Sequence, residues 1–128
     1  MSILAELLEP AHHWEIGVGK DPARIMLLDQ PAPSYMGAKG PTLHMSELWV
    51  PKHQRGCGYG AQLVKVATRW ADKNGIELWL YAAAYDGGPD SDKLYEFYKR
   101  FGFELTSCGP NYEMFRPLKA KYARQRSR

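Results

Sequence analysis

The sequence is poor in cysteine and has no long apolar run, and both absences limit the classes of protein to which it can belong. Its two cysteines, Cys57 and Cys108, are too few for a disulfide framework and lie in no pair or cluster of metal-ligand spacing. We therefore predict reduced thiols and no bound metal. No membrane-length apolar stretch occurs, and Glu6 and Glu9 stand where a secretory signal needs basic residues. We expect a cytoplasmic protein without a membrane partner.

Positive charge is concentrated at the C-terminus. The chain has 17 Lys and Arg against 14 Asp and Glu, and five of these basic residues lie in 119–128, which has no acidic residue. The remainder has 12 basic and 14 acidic residues, a net charge of −2. We divide the chain into a single domain, 1–118, and a basic, flexible tail, 119–128. Such a tail is usually a solvated terminus and less often an arm that contacts nucleic acid or an acidic partner.

Strand and helix patterns alternate along the chain. Segment 30–42 contains three prolines and two glycines, which predicts turns around at most a short strand near Tyr35 and Met36. Strand, helix and strand follow one another across 43–83, which predicts a parallel pair joined by a right-handed crossover and an α/β fold with a mixed sheet. We predict strands at 14–18, 24–28, 43–50, 76–83, 103–106 and 112–118, and helices at 2–8, 60–74 and 91–101.

A glycine-rich loop precedes the helix predicted from residue 60. The run QRGCGYGAQL places Gly56, Gly58 and Gly60 where the helix begins. Glycines let backbone N–H groups turn inward, and a helix N-terminus attracts anions, so a phosphate group is the expected ligand. A Walker loop needs Gly-Lys-Ser/Thr and a dinucleotide fingerprint needs GxGxxG, and neither is present. A tight turn without a ligand is an equal alternative for a glycine cluster alone.

Two segments resemble a known family. The run VPKHQRGCGYGAQL is similar to motif A of the GNAT acetyltransferases, whose pattern Q/RxxGxG/A is met by Arg55, Gly58 and Gly60. Further on, LYEFYKRFGFE resembles the family's motif B, and the resemblance covers 43–106. It implies the GNAT acyl-CoA N-acyltransferase fold, a central mixed sheet with helices on both faces. Because the chain before Leu43 is shorter than is usual in the family, we expect a reduced N-terminal portion.

The resemblance also implies the cofactor, acetyl-CoA. Amides of the motif A loop would hold the coenzyme A pyrophosphate, and the pantetheine arm would pair with the strand ending at Val50 as an extra strand does. A backbone N–H near Leu48 or Trp49 would stabilise the oxyanion. Ser91 stands where motif B commonly has an Asn that contacts the coenzyme. The coenzyme-binding residues implied in this way are Leu48, Trp49, Val50, Arg55, Gly56, Cys57, Gly58, Tyr59, Gly60, Ala61, Ser91 and Tyr95.

An amine acceptor must lose a proton before it attacks, and two residues of the first strong strand are candidate bases. In a regular pleat, His44 and Ser46 face one side of this strand and Glu47 the other. A bulge, common here in the family, would bring either candidate into the cleft. We rank Glu47 ahead of His44. The alternatives without function are a histidine that is merely hydrogen-bonded and a glutamate that faces solvent.

The thiolate leaving group needs a proton, for which Tyr98 is the candidate acid because it aligns with the motif B tyrosine. Tyr98 also lies on an apolar stripe with Leu94 and Phe101, so a core tyrosine is the alternative. Tyr95, one turn earlier, is a less favoured substitute.

We predict an N-acetyltransferase that moves an acetyl group directly from acetyl-CoA to an amine in a ternary complex. The acceptor, a peptide or protein lysine or a small amine, is not specified, although a reduced N-terminal wall favours an open groove for a peptide. Two alternatives are an acyl-CoA-binding regulatory module without turnover and a nucleic-acid-associated protein that acts through its tail. A homodimer is left open.

Overall fold

The computed structural model describes residues 12–17, 21–51, 53, 55, 58–82, 91–107 and 112–118. Within them, each predicted strand and helix is present, with ends that differ from the prediction by at most two residues. The helix predicted at 2–8 and the tail 119–128 lie outside the described residues. The elements are β1 His12–Ile16, β2 Ala23–Leu28, a 3₁₀ turn Ser34–Met36, β3 Thr42–Trp49, α1 Tyr59–Lys73, β4 Glu77–Ala82, α2 Ser91–Lys99, β5 Glu104–Ser107 and β6 Tyr112–Arg116.

The short strand considered near Tyr35 and Met36 is instead the 3₁₀ turn. It follows Pro33, whose φ is −52°, and it ends at Gly37, whose φ of +73° lies in the left-handed region. Glycine adopts that conformation without steric cost. The turn buries the side chain of Met36, so a contact distant in sequence fixes this segment.

The strands form one mixed sheet in the order β1-β2-β3-β4-β6-β5. The pair β3 and β4 is parallel, and the other neighbouring pairs are antiparallel. The predicted parallel pairing across α1 is therefore confirmed, as is the closing pair β5 and β6.

The main core lies on one face of this sheet. Alternate strand residues point to that face, and both described helices pack against them. Residues of α1 at helical spacing form its buried stripe, and Gly75, with φ of +71°, follows its end. The members of this core are Ala23, Ile25, Leu27, Leu43, Met45, Leu78, Leu80, Ala82 and Met114 from the strands, Leu63, Val64, Ala67 and Ala71 from α1, Tyr98 from α2, and Phe103.

The opposite face has a smaller core. Trp79 and Phe115 pack with Met36 of the 3₁₀ turn and with Ala32. The indole Nε1 of Trp79 donates a hydrogen bond of 3.0 Å to the carbonyl of Gln30. In the described part of the chain, this loop segment covers the face that the two helices do not, so the helices expected on both faces lie on one face there.

A buried ion pair ties the ends of both helices to β6. The Arg116 guanidinium donates to both carboxylate oxygens of Asp72 at 2.7 and 2.9 Å, and its Nε donates to the Phe101 carbonyl at 2.6 Å. Breaking one partner of such a pair leaves an uncompensated buried charge, which commonly costs about 3–5 kcal/mol. The contact fixes the position of α2, the helix that carries Tyr98. No helix in the described residues is long and apolar enough to cross a membrane.

Candidate active site

A cleft opens where β3 and β4 separate. Their parallel pairing joins Thr42 with Glu77, Leu43 with Leu78 and His44 with Trp79, whereas β3 continues to Trp49 and β4 to Ala82. Beyond His44 these two strands are no longer paired with each other. The edge of β3 that faces β4 is therefore open to an extended ligand, which can add to it as a strand does.

A bulge in β3 determines which side chains face which side of the sheet. Glu47 pairs with Met26 and Met45 with Leu27, so Ser46 is an extra residue on β3. Before the bulge Met45 packs in the main core, and after it Leu48 does. The alternation of a regular pleat therefore does not hold at this point, and the bulge that the family resemblance suggested is present. The bulge turns Glu47 to the same side of the sheet as His44, away from the helices.

The cleft has a volume of about 730 Å³. Its walls are the splayed half of β3, one residue of β4 and one side of α2, with Arg24 and Arg55 at its margin. It brings together two predicted catalytic residues, Glu47 and Tyr98, with the predicted coenzyme contacts Leu48, Trp49, Val50 and Arg55. The lining residues are Arg24, Met45, Ser46, Glu47, Leu48, Trp49, Val50, Arg55, Tyr81, Lys93, Leu94, Phe97 and Tyr98.

Tyr98 belongs both to the core and to the cleft. Tyr98 is 7% exposed. Its ring packs edge to face on Phe97 and Phe103, with centroid distances of 5.2 and 5.7 Å. It also lines the cleft. Tyr95 points elsewhere, because its ring lies 6.0 Å from that of Tyr112 and does not line the cleft.

Arg24 is a site residue that the sequence reasoning missed. Its Nε donates to the carboxylate of Glu47 at 2.6 Å, and its Nη1 donates to Asp21 at 3.1 Å. The pKa of Arg24 is raised, chiefly by the hydrogen bond to Glu47. Nothing local marks Arg24 as a partner of Glu47, because only the strand register brings the two together.

Trp49 lies beside two cationic side chains. The guanidinium groups of Arg24 and Arg55 are 6.0 and 5.5 Å from its ring centre, and its indole donates to Asp21 at 3.2 Å. Arg55 in turn donates from Nε to the Val50 carbonyl at 3.0 Å. These contacts hold the end of β3 and orient Arg55 at the margin of the cleft.

His44, the second predicted base, lies beside the cleft without lining it. Its ring stacks on Trp79 at 4.0 Å between centroids and lies 5.9 Å from the ring of Tyr81. Its Nδ1 is 3.3 Å from the Trp79 carbonyl. Burial lowers the pKa of His44, and the backbone hydrogen bond offsets part of that shift. Of the three predicted catalytic residues, His44 is thus the one that does not line the cleft.

The glycine loop leads into the open end of α1. Gly58 has φ of +79° at the position before the helix, and among the described residues no side chain caps this end. The first-turn amides of Tyr59, Gly60 and Ala61 lack partners within the helix by geometry. Gly60 lies against β3, since an added Cβ would be 3.7 Å from Val50 and 4.0 Å from Leu48.

Three predicted coenzyme contacts lie outside what the structure describes. These are the residues Gly56 and Cys57 and the side chain of Ser91. In the described ranges no group of three or more His, Cys, Asp or Glu residues is placed to hold a metal ion.

Comparisons with known proteins agree with this geometry. A model of the acetyltransferase (GNAT) family matches residues 8–103. A comparison with curated proteins found no match. The structure of the anti-CRISPR protein AcrVA5 has a TM-score of 0.56 at 19% identity, over 80% of this chain and 96% of that one.

Two solved acetyltransferase structures with coenzyme groups are also similar. Arabidopsis thaliana Naa50 in complex with the bisubstrate analogue CoA-Ac-MVNAL has a TM-score of 0.56 and 23% identity, over 75% of this chain and 65% of that one. The PaiA N-acetyltransferase from Thermoplasma acidophilum in complex with coenzyme A has a TM-score of 0.51 and 18% identity, over 74% of this chain and 52% of that one. At such identities the likeness establishes the fold.

Proposed function

This chain belongs to the acetyltransferase (GNAT) family, and on that premise we propose that it transfers the acetyl group of acetyl-CoA directly to an amine in the cleft between β3 and β4. The observation that carries the proposal is the opening of the sheet beyond His44 and Trp79, with Glu47 and Tyr98 lining the same cleft. Two groups able to move protons on opposite walls are what amine acetylation requires.

Two features of the chain suit an extended coenzyme. The open edge of β3 offers backbone groups to a pantetheine arm, and the uncapped end of α1 at residues 58–61 offers amides to a pyrophosphate. Arg55 adds positive charge near this end of the cleft. Similar structures with coenzyme groups, PaiA and Naa50, support the assignment. Bound there, acetyl-CoA would supply the activated acetyl group, and two anchored ends would restrict its long arm.

We assign the base to Glu47. An amine with a pKa of about 10.4 is protonated near neutral pH, and removing its proton costs about 4–5 kcal/mol. The Glu47 side chain is 38% exposed, so it can take this proton directly or through a water molecule. Arg24 occupies one carboxylate oxygen, and in the described residues no side chain bonds to the other. His44 is the less suitable candidate because it does not line the cleft.

We assign the acid to Tyr98. A thiolate with a pKa of about 8.5, by analogy with cysteine, leaves more easily when it receives a proton. The Tyr98 side chain lines the cleft on the α2 wall, whereas Tyr95 does not. Backbone N–H groups near Leu48 or Trp49 are the proposed donors to the developing oxyanion.

The test is coenzyme A release by the purified chain with acetyl-CoA and a panel of primary amines, detected with a thiol reagent. We expect release that depends on both the amine and the protein. Binding of acetyl-CoA, seen as a raised melting temperature, without release for any amine would instead favour the regulatory module. Absence of acetyl-CoA binding would contradict both the acetyltransferase and the regulatory module. A role of the tail 119–128 with nucleic acid is a separate hypothesis, tested by the salt dependence of binding.

A further inference from the structure

On the sheet face opposite the helices, two exposed tyrosines and one carboxylate lie together. Tyr35 is 64% exposed and Tyr81 is 43% exposed. Tyr81 pairs directly with Glu113 across β4 and β6, so their side chains point to the same face. The hydroxyl of Tyr35 donates to Oε1 of Glu113 at 2.5 Å. We name these three residues the cation subsite.

The chemistry of this group suits a positively charged ligand. Aromatic faces attract ammonium and guanidinium groups, and a carboxylate adds a charge-assisted hydrogen bond. Within the described ranges no basic side chain forms an ion pair with Glu113. Its hydrogen-bonding partner Tyr35 is neutral, and the bond raises the pKa of that phenol to about 12. Among the described residues, the negative charge of Glu113 is thus not paired with a cation.

The cation subsite adjoins the cleft. Tyr81 belongs to both, since it also lines the cleft, and it lies two residues beyond the last pair of β3 with β4. Glu47 faces the same side of the sheet as Tyr81. Adjacent strands are about 4.8 Å apart, so a group between β3 and β4 lies roughly 5–10 Å from β6. This separation is similar to that between the two ammonium groups of a short diamine. It is shorter than we expect between two cationic groups on a protein surface.

We propose that Tyr35, Tyr81 and Glu113 hold a second positive charge of the acceptor while its reacting amine lies in the cleft. The substrate class is then a small diamine-like compound. This inference rests on the proposed function, because it describes the acceptor of that reaction.

The test compares cadaverine with pentylamine, which has the same five carbons and lacks the second ammonium. Coenzyme A release is measured for the wild type, Glu113→Gln and a matched control, Glu104→Gln, which removes an exposed carboxylate from the neighbouring strand β5. We expect kcat/KM of the wild type to favour cadaverine by about tenfold. Glu113→Gln should abolish this preference and leave pentylamine within about twofold, whereas Glu104→Gln should retain the preference.

A second comparison separates the ring from the charge, with Tyr35→Phe as the control for loss of the hydroxyl that donates to Glu113. Tyr35→Leu removes an aromatic face that does not line the cleft, and it should reduce the preference for cadaverine by about threefold. Either an absence of preference in the wild type or a full preference in Glu113→Gln would overturn the subsite.

The subsite can also be tested if no amine is acetylated. Calorimetric titration of cadaverine into the chain with coenzyme A should then still detect binding that Glu113→Gln weakens, which would retain the subsite and reject the reaction. No binding, or equal binding by both proteins, would reject the subsite. Acetylation of both amines without discrimination would retain the reaction and reject the subsite.

Discussion

Arg24 holds Glu47 across the strand pair β2 and β3, with 2.6 Å between Nε and the carboxylate oxygen. The register places Arg24 opposite Trp49 and Glu47 opposite Met26, so the ion pair is diagonal. Diagonal neighbours on one face are within reach of long side chains. The bulge at Ser46 is what puts Glu47 on that face. The orientation of the proposed base therefore depends on a neighbouring strand.

Glu47→Gln should lower kcat about a hundredfold, because the amide keeps the shape of the side chain and cannot take the proton from the amine. The KM for acetyl-CoA should change little. Steady-state coenzyme A release measures both constants, with Glu104→Gln as the control for loss of an exposed carboxylate. A kcat within about threefold of the wild type would remove Glu47 from the role of base.

Arg24→Gln should lower kcat about tenfold through misorientation of Glu47. The pair is partly exposed, at 31% and 38%, so its loss should change the free energy of unfolding by less than about 1 kcal/mol. Arg24→Lys should restore part of kcat, and Asp21→Asn, which removes the charge from the longer ion pair, should have a smaller effect. Equal losses of kcat in Glu47→Gln and in the double variant with Arg24→Gln would support positioning; additive losses would contradict it.

The order and type of the described elements follow from local patterns. Alternation in β2 and helical spacing in α1 each match a buried face, and glycines such as Gly75 mark helix ends. The segment around Tyr35 and Met36 does not follow from such a pattern. Its conformation is set by the burial of Met36 against Trp79 and Phe115, both of which are distant in sequence.

The sequence motifs predicted which segments of the chain form the site. The motif A and motif B resemblances led to residues that line one cleft, including Trp49 and Tyr98. They could not give the direction of Glu47 or its partner. The resemblance suggested a bulge but not its exact position, which decides the side that Glu47 faces, and Arg24 is 23 residues away in sequence. The same limit explains why the cation subsite, built from three separate elements, was not foreseen.

Tyr98→Phe should lower kcat about tenfold to a hundredfold with little change in affinity for coenzyme A. The ring packing on Phe97 and Phe103 is retained, so the melting temperature should fall only slightly. Tyr95→Phe is the matched control, because its ring lies against Tyr112 outside the cleft. Kinetics and calorimetry of the two variants give the comparison. An unchanged kcat in Tyr98→Phe would leave Tyr98 as a core residue only.

His44 should make the fold less stable in mild acid. In the folded state, burial lowers the pKa of His44 below its ordinary value of 6.5. As pH falls below 6.5, the unfolded chain binds the proton first, so the free energy of unfolding decreases until the lowered folded pKa is passed. Above pH 6.5 His44 is neutral in both states, and its full contribution to the free energy of unfolding is present. Melting curves across this window should show a weaker pH dependence in His44→Gln than in the wild type. Parallel curves for both proteins would contradict this assignment.

Gly58→Asp and Gly58→Asn should differ in affinity for coenzyme A although they have the same shape. Gly58 has φ of +79°, and an added Cβ meets no atom within 4 Å. Both substitutions should therefore strain the backbone to a similar extent. Only the aspartate puts a negative charge beside the amides that we assign to the pyrophosphate. The Kd of the Asp variant should therefore exceed that of the Asn variant by about tenfold in low salt, and the difference should shrink as salt screens the repulsion. Isothermal titration at two salt concentrations measures both effects. Equal dissociation constants in the two variants would mean that the pyrophosphate binds elsewhere, because a carboxylate beside it could not be without effect.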